Sequence, residues 1–318
     1  MKFIRLINSV KILFLILLFS FGVAAQTADE TAEKVKENLQ AGLQFVQEQK
    51  FAEAVVPLQT VLYYERDNET ARKALALALI GTDRFAEASR EIAKLLAKNP
   101  SDEKLLEFAA QNFLIQKRYK EAEAVLRRRI ELGNLTPEIW ARFGDVLDAQ
   151  KKTNEAITAY EKAVALAPDS TTLRYALGAL FWKAIRYDEA EKVFLEILKR
   201  EPNEPRASFN LGDIYLTRGE AEKALPFLET AARIFPDEFD TRFALGRAFL
   251  AIGNVEKAVE ELQTAVKLNP QIAEGFYHLG RALQRAGQTV EAKKAIEKAQ
   301  ELQRLKRESE SLENSKPR

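Results

Sequence analysis

Alanine recurs at every thirty-fourth position through almost the whole chain. The positions are Ala54, Ala88, Ala122, Ala156, Ala190, Ala224, Ala258 and Ala292. Twelve residues before each alanine lies a small residue: Gly42, Ala76, Ala110, Gly144, Gly178, Gly212, Gly246 and Gly280. Four residues after each alanine lies a large apolar residue: Leu58, Ile92, Leu126, Tyr160, Phe194, Leu228, Leu262 and Ile296. Eight copies in one register indicate a single structural unit repeated eight times, and a period of this length is typical of solenoid proteins.

The columns within one unit predict two short antiparallel helices. Leu245, Gly246 and Phe249 share one face of a first helix, and the small residue lets the second helix approach closely. A proline twelve residues after the alanine ends the second helix in five units, at Pro100, Pro168, Pro202, Pro236 and Pro270. Between the two helices of three units lie Gly219, Gly253 and Gly287, where a left-handed turn residue is expected. The sequence therefore predicts an all-α fold.

Four other prolines bear on where the helices begin. Pro137 and Pro205 open predicted first helices, a position that proline favours. Pro57 and Pro226 fall about one turn inside predicted second helices, where proline removes a hydrogen bond. We expect a local bend at these two positions, or helices that begin later than the pattern suggests.

The repeated columns resemble the signature of the tetratricopeptide repeat, which runs from an aromatic residue through Leu-Gly, an aromatic, Ala and an aromatic to Pro. One unit carries Trp140, Phe143, Gly144, Ala156, Tyr160 and Pro168 in that order. The resemblance implies a right-handed α-solenoid of eight stacked helix-turn-helix units over residues 35–306. On this reading the units begin at residues 35, 69, 103, 137, 171, 205, 239 and 273.

The segments outside the repeats differ from them in composition. Residues 1–25 combine basic Lys2, Arg5 and Lys11 with an apolar run, and they end in small residues before Gln26. The apolar part is shorter than the roughly 20 residues of a spanning helix, so we expect a cleaved secretory signal and a periplasmic or secreted protein of the bacterial envelope. The alternative is an uncleaved anchor in the inner membrane. Residues 26–34 form a short lead, and residues 307–318 a polar tail that extends the last helix before fraying.

Charge and cysteine content limit the partners. The chain holds 48 Lys and Arg against 47 Asp and Glu, and residues 1–25 contain three of the basic residues and none of the acidic ones. The mature chain is then close to neutral, which argues against nucleic acid as a partner, since binding to its backbone needs clustered positive charge. The absence of cysteine is compatible with an oxidising compartment.

The sequence offers little for catalysis. With one histidine, His278, and no cysteine, thiol nucleophiles and His/Cys metal sites are excluded. No phosphate loop, nucleophile elbow or dinucleotide fingerprint is present. We therefore expect a non-enzyme without cofactor or metal, and we expect His278 to face the groove or to be partly packed.

In tetratricopeptide arrays the second, fifth, ninth, twelfth and thirteenth places of each unit line a concave inner wall. The resemblance implies that this wall binds a peptide or a partner helix. The fifth places of the last four units are aromatic, at Tyr175, Phe209, Phe243 and Tyr277. The C-terminal part of the same wall is basic, at Arg247, Arg281 and Arg285. Aromatic and arginine side chains are frequent interface hot spots, so these seven residues form the predicted binding site.

The predicted partner is a protein or peptide with an acidic group or a free carboxylate. The lysine and asparagine clamp with which one subclass of the family holds chaperone carboxylates is missing. The ninth places, which would carry its asparagines, are Leu43, Leu77, Gln111, Asp145, Ala179, Asp213, Arg247 and Arg281. The alternative interpretation is that the aromatics stiffen the wall and that the arginines pair with Asp213, Asp240 or Glu274.

Two functions of different kinds follow from the sequence. The first is an interaction scaffold of the periplasm or the secreted space. The second is a membrane-anchored assembly factor or structural component of an envelope machine for secretion, pilus formation or wall synthesis. We expect the protein to be attached to a membrane only if residues 1–25 remain uncleaved.

Overall fold

A computed structural model describes residues 29–314, and within this range every regular element is a helix. The predicted signal segment, 1–25, and the last four residues of the predicted tail lie outside the described residues. Helix α1 spans 29–47. The others are α2 Phe51–Tyr64, α3 Glu69–Gly81, α4 Phe85–Lys98, α5 Glu103–Ile115, α6 Tyr119–Glu131, α7 Pro137–Ala149, α8 Thr153–Leu166, α9 Thr171–Lys183, α10 Tyr187–Arg200, α11 Pro205–Thr217, α12 Ala221–Ile234, α13 Phe239–Ala251, α14 Val255–Leu268, α15 Ala273–Arg285 and α16 Thr289–Asn314.

On either side of residue 135 the helices form hairpins that stack on one another, which confirms the predicted all-α fold. Consecutive helices pair as α13 with α14, and the second helix then packs on the first helix of the next hairpin, as α14 on α15. The chain divides into two compact units at residue 135, which we call the N-terminal unit and the C-terminal unit. Helix α16 continues to Asn314, so most of the polar tail is helical. None of the described helices has the length and apolar character needed to cross a membrane.

The small-residue column is required by close packing inside each hairpin. A Cβ atom added to Gly212 would lie 2.6 Å from the Leu228 side chain, and one added to Gly246 would lie 2.6 Å from Leu262. Both leucines are fully buried. Because a side chain at these positions would overlap the facing helix, only the smallest residues fit.

The turn inside each hairpin uses a left-handed residue, as predicted at Gly219, Gly253 and Gly287, whose φ angles are +77°, +84° and +75°. The same place in the other hairpins adopts positive φ without glycine, at Gln49, Asp83, Lys117, Lys151 and Ile185. Ile185 is a β-branched residue, for which this conformation is rare. The turn nevertheless closes normally, since the Ile185 N–H donates to the Trp182 carbonyl at 2.9 Å. The fold therefore imposes the conformation where the sequence does not favour it.

The two interior prolines do not delay their helices. Helix α2 begins at Phe51 and contains Pro57, and α12 begins at Ala221 and contains Pro226. The expectation that these helices begin later is wrong. Each helix packs against its hairpin partner, so tertiary contacts outweigh the local cost of an interior proline, which is about 3 kcal/mol.

Candidate functional site

The first helices of the C-terminal unit lie side by side and form one surface. Helix α9 contacts α11, α11 contacts α13 and α13 contacts α15, with the second helices packed behind them. We call the exposed side of α9, α11, α13 and α15 the first-helix wall. All seven residues of the predicted binding site belong to these four helices.

Tyr175 is held by residues of the following hairpin. Its ring lies under the Arg206 guanidinium, with 4.4 Å from the guanidinium carbon to the ring centroid. Its hydroxyl accepts a hydrogen bond from the Asn210 side chain at 3.0 Å. The next predicted aromatic, Phe209, is half-buried on the same wall. These contacts fix the Tyr175 ring and join two successive hairpins.

The other two predicted aromatics differ sharply in exposure. Phe243 is only 8% exposed and packs between Phe239, at 5.4 Å between ring centroids, and His278, at 5.3 Å. Tyr277 is 46% exposed and meets His278 edge-on at 5.6 Å. Phe243 therefore supports the wall from beneath, whereas the ring of Tyr277 is partly exposed on its surface.

The arginines at the ninth places form no ion pair with a carboxylate of the described residues, although the charge of Arg247 acts on Asp213 and partly offsets the rise that burial causes in the pKa of that carboxyl. The Arg247 guanidinium lies over Phe243 at 5.5 Å, and that of Arg281 lies over Tyr277 at 5.9 Å. Among the described residues, neither forms an ion pair with Asp213, Asp240, Glu274 or any other carboxylate. Arg242, on the same helix as Arg247, shows the contrast, since it pairs with Glu261 at 2.9 Å. Two guanidinium groups thus stand on aromatic rings with free hydrogen-bond donors.

The third predicted arginine has a structural contact. Arg285 donates from Nη1 to the backbone carbonyl of Leu250 at 2.9 Å, which ties α15 to α13. It is exposed and lies one turn beyond Arg281 on the same helix. Its remaining donors add positive charge to this end of the wall.

His278 lies close enough to Arg247 and Arg281 for both charges to act on its ring. Its Nδ1 atom is buried and forms no hydrogen bond with any part of the chain that the structure describes. Burial, followed by the positive charges of Arg247 and Arg281, lowers the pKa of His278 to about 4. The imidazole is therefore neutral at pH 7 and keeps an unused polar atom. We call Arg247, His278 and Arg281 the arginine–histidine cluster.

The acidic residues of the first helices α7 and α11 have partners of their own. Asp213 accepts a hydrogen bond from the Trp182 indole at 3.2 Å, and its pKa is raised, mainly by burial. Asp145 accepts one from the Tyr160 hydroxyl, and burial likewise raises its pKa. Asp148 pairs with Lys183 at 2.7 Å. Within residues 29–314, no group of His, Asp or Glu side chains is arranged to hold a metal ion.

Sequence reasoning missed Trp182, Arg206 and Asn210, which organise this surface, and it gave no contact for His278, although it expected that residue to face the groove or to be partly packed, as it is. Two of them share a signal that the period contains. Asn210 and His278 each occupy the sixth place of a 34-residue repeat. Asn210 contacts Tyr175, and His278 contacts Phe243, and in both pairs the second residue is the fifth-place residue of the preceding repeat. In these two cases the sixth place of one repeat therefore packs against the fifth place of the preceding repeat.

Comparison with protein families gives matches along most of the chain. Four models described as tetratricopeptide repeat or TPR repeat match residues 45–112 and 215–274, 175–239, 144–184 and 273–304. The matched ranges fall in both compact units.

Solved structures and curated proteins share the repeat. The structure of MamA from Desulfovibrio magneticus RS-1, residues 41 to the end, is 25% identical with a TM-score of 0.50, covering 53% of this chain and 95% of that chain. YrrB, described as a TPR protein with an unusual peptide-binding site, is 22% identical with a TM-score of 0.51, covering 58% and 95%. Human tetratricopeptide repeat protein 13 is 27% identical, covering 54% of this chain and 20% of the relative. Human protein O-mannosyl-transferase TMTC1 is 24% identical, covering 55% and 21%. The alignments thus span about a fifth of these two curated relatives.

Proposed function

Because this chain belongs to the tetratricopeptide repeat family, whose members generally mediate protein–protein interactions, we propose that it is a non-catalytic scaffold that binds a partner protein on the first-helix wall of its C-terminal unit. The partner presents an acidic side chain or a free carboxylate to the arginine–histidine cluster. Tetratricopeptide repeat folds are generally non-catalytic, and the same is proposed here. YrrB offers a precedent for peptide binding by such a fold.

One observation carries this proposal: among the described residues Arg247 and Arg281 form no ion pair, and each guanidinium lies over an aromatic ring of the first-helix wall. A guanidinium presents planar donors that match the two oxygens of a carboxylate, and such charge-assisted bonds are about twice as strong as neutral ones. The rings of Phe243 and Tyr277 stabilise the cations and orient them. A bound carboxylate would satisfy donors that the folded chain leaves free.

The neighbouring groups suit an anion with an apolar flank. Exposed Tyr277 provides contact area at low entropic cost beside the charged groups. Protonation of His278, whose Nδ1 atom is buried, would add positive charge beside the two arginines. Asp213 and Asp145 are engaged by Trp182 and Tyr160, which leaves the arginine end as the favoured place for negative charge.

The proposed location is the bacterial envelope. The basic and apolar composition of residues 1–25, with small residues before Gln26, supports a cleaved signal and a periplasmic or secreted protein. The same apolar run supports the second candidate, a membrane-anchored assembly factor or structural component of an envelope machine. Mass spectrometry of the protein from its native source distinguishes them, since Gln26 as first residue supports the first function and Met1 the second.

The binding proposal is tested by reversing the two free charges. Wild-type protein and the Arg247→Glu/Arg281→Glu variant are used to recover partners from a native envelope extract, and the affinity for each recovered protein is then measured. We expect at least a tenfold loss of affinity in the variant, about 1.4 kcal/mol, with an unchanged melting temperature.

A matched control keeps the charge change and moves it to the second helices. Arg233 on α12 and Lys267 on α14 are exposed residues of the same unit. The Arg233→Glu/Lys267→Glu variant should bind like the wild type. Equal affinity of the Arg247→Glu/Arg281→Glu variant and the wild type would refute the proposed site.

A further inference from the structure

The outward side of the second helix α2 differs from the same side of the other second helices. Four exposed residues follow one another at intervals of three and four positions and therefore form one stripe along the helix, namely Ala52, Val56, Gln59 and Tyr63. None of the four is charged. At the corresponding places of each of the other seven repeats, at least one residue is Lys, Arg, Asp or Glu. We call these four residues the α2 stripe.

Two side chains of the α2 stripe are large and apolar. Val56 is 67% exposed and Tyr63 is 77% exposed. The one charged residue of the helix, Glu53, follows Ala52 directly and therefore lies on another side of α2. Because a surface helix usually carries charged residues on the side that faces water, the α2 stripe is suited to contact with an apolar surface.

A groove of about 740 Å³ lies between the C-terminal halves of α2 and α4, and Tyr63 forms part of its wall. Four cationic and two acidic side chains also line this groove, namely Arg66, Arg72, Lys94, Lys98, Asp67 and Glu91. Both carboxylates are paired with cations of this set. Arg66, however, forms no ion pair with any residue that the structure describes. The groove beside Tyr63 is therefore positively charged and contains one uncommitted guanidinium.

The α2 stripe ends beside the point where the chain enters the fold. The ammonium group of Lys34, near the start of α1, lies over the ring of Tyr64 at 5.7 Å from the ring centroid. Residues 12–25 are uncharged and mostly apolar, and only residues 26–28 separate them from α1. Three residues span at most about 10 Å. In the second candidate function, where residues 1–25 anchor the chain, this end of the first hairpin is therefore held close to the membrane surface.

We propose that the α2 stripe and Arg66 bind the surface of a membrane that contains anionic phospholipids. A helix with one apolar side lies in the plane of the membrane–water interface and buries that side below the headgroups. Tyrosine is favoured at this depth, because its ring is apolar and its hydroxyl is polar. The Arg66 guanidinium matches the oxygens of a lipid phosphate, and the positive groove favours anionic headgroups.

A second copy of the chain is a poor occupant of the α2 stripe. A stable protein interface buries about 800 Å² on each partner, whereas one aromatic side chain supplies about 150–250 Å². Tyr63 is the only aromatic residue of the stripe, and Val56 is its only other large apolar residue, so the available area falls well short. A membrane contact tolerates a small area when the chain is tethered, since a tether raises the effective concentration. Only this tethering rests on the second candidate function.

The first test measures whether the α2 stripe touches lipid in the full-length protein. The chain has no cysteine, so a single introduced cysteine takes one fluorescent label. Gln59→Cys places the label on the stripe, and Gln263→Cys places it on α14, at the same place of the seventh repeat and also exposed. The proteins are reconstituted into vesicles of phosphatidylcholine and phosphatidylglycerol whose acyl chains carry bromine, which quenches the label on contact. We expect quenching at least about twofold stronger for Gln59→Cys than for Gln263→Cys.

The second test removes the anchor and measures the stripe itself. The chain that begins at Gln26 keeps every described helix, and its binding to the same vesicles without bromine is followed by co-sedimentation. Val56→Glu/Tyr63→Glu should lower the partition coefficient at least tenfold. Thr158→Glu/Ala165→Glu introduces the same charges at the same two places of the fourth repeat, on exposed residues of α8, and should have no effect. All four exchanged side chains are exposed, so the melting temperatures should stay unchanged.

Lipid composition tests the role of Arg66. The wild type should bind vesicles that contain phosphatidylglycerol more tightly than vesicles of phosphatidylcholine alone, and Arg66→Ser should reduce this preference. Inorganic phosphate should not displace the protein from vesicles, because a free anion offers no apolar surface to the α2 stripe. Displacement by phosphate would identify the groove as a site for soluble anions and would overturn the proposal.

Other results would also overturn it. These are equal quenching of the two labels, no vesicle binding by the chain that begins at Gln26, and unchanged binding by Val56→Glu/Tyr63→Glu. Self-association without vesicles that the same variant abolishes would show that a second copy covers the stripe. A protein from the envelope that binds the stripe in the absence of lipid would likewise replace the membrane as its occupant. None of these results bears on the first-helix wall of the C-terminal unit, because the stripe and the groove belong to the N-terminal unit.

Discussion

The packing of the hairpins can be tested at Gly212 and Leu228. The Gly212→Leu substitution places its Cβ 2.6 Å from the Leu228 side chain, a distance that real contacts do not reach, and the nearest backbone oxygen, that of Ala224, lies only 3.4 Å away. Because Leu228 is fully buried, it cannot move into solvent to make room. Overpacking of this kind costs about 1–3 kcal/mol, so the variant should unfold at a lower temperature and at a lower denaturant concentration.

A double-mutant cycle identifies the contact that causes this loss. Leu228→Ala alone should cost about 2–5 kcal/mol through the cavity that it leaves. In the Gly212→Leu/Leu228→Ala variant the new leucine can enter that cavity, so the two costs should partly cancel, with a coupling of about 0.5–3 kcal/mol. Urea unfolding followed by tryptophan fluorescence is suitable, because Trp140 and Trp182 are the chain's only tryptophans and both belong to the C-terminal unit. Additive losses, or an unchanged stability of Gly212→Leu, would refute this account of the packing.

Three further predictions concern the site and the fold. An anion bound at Arg247 and Arg281 should raise the pKa of His278 from about 4. Because the complex then takes up a proton, its affinity should rise as pH falls from 7 to 5. Binding titrations of the wild type and of His278→Leu check this, and the same pH dependence of affinity in both proteins would contradict it. Phe243→Ala should cost about 3–5 kcal/mol of stability, whereas Tyr277→Ala should lower partner affinity and leave the melting temperature nearly unchanged; the reverse pattern would invert the roles given to these rings. Far-UV circular dichroism of the purified protein should be helix-dominated, and appreciable strand content would contradict the fold.

The fold could be predicted from the sequence because its period controls local geometry and packing together. The small residue at 212 and the large apolar residue at 228 recur in register, and their close approach repeats in the six hairpins that carry glycine at this place. The turns were only partly predictable. Three carry glycine, but Lys117 and Ile185 adopt the same left-handed conformation, because the packing of two helices fixes the turn whatever residue occupies it.

The binding surface was harder to derive, since exposure depends on neighbours that the period does not specify. Phe243 and Tyr277 occupy the same place in successive repeats, yet Phe243 is 8% exposed and Tyr277 is 46% exposed. The difference arises because His278 and Phe239 cover Phe243. Free and paired arginines also look alike in a sequence, and whether a carboxylate lies within reach is decided by the fold.

The central claim is tested most directly by a double-mutant cycle across the interface. The acidic group of a recovered partner is neutralised, by Glu→Gln or Asp→Asn or by amidation of the C-terminus, and combined with Arg281→Ala in this protein. Calorimetric titration then gives the affinity of all four pairs. A carboxylate held by Arg281 predicts a coupling of at least about 1.4 kcal/mol, a tenfold effect. Strictly additive losses would contradict the claim that the arginine–histidine cluster recognises the partner.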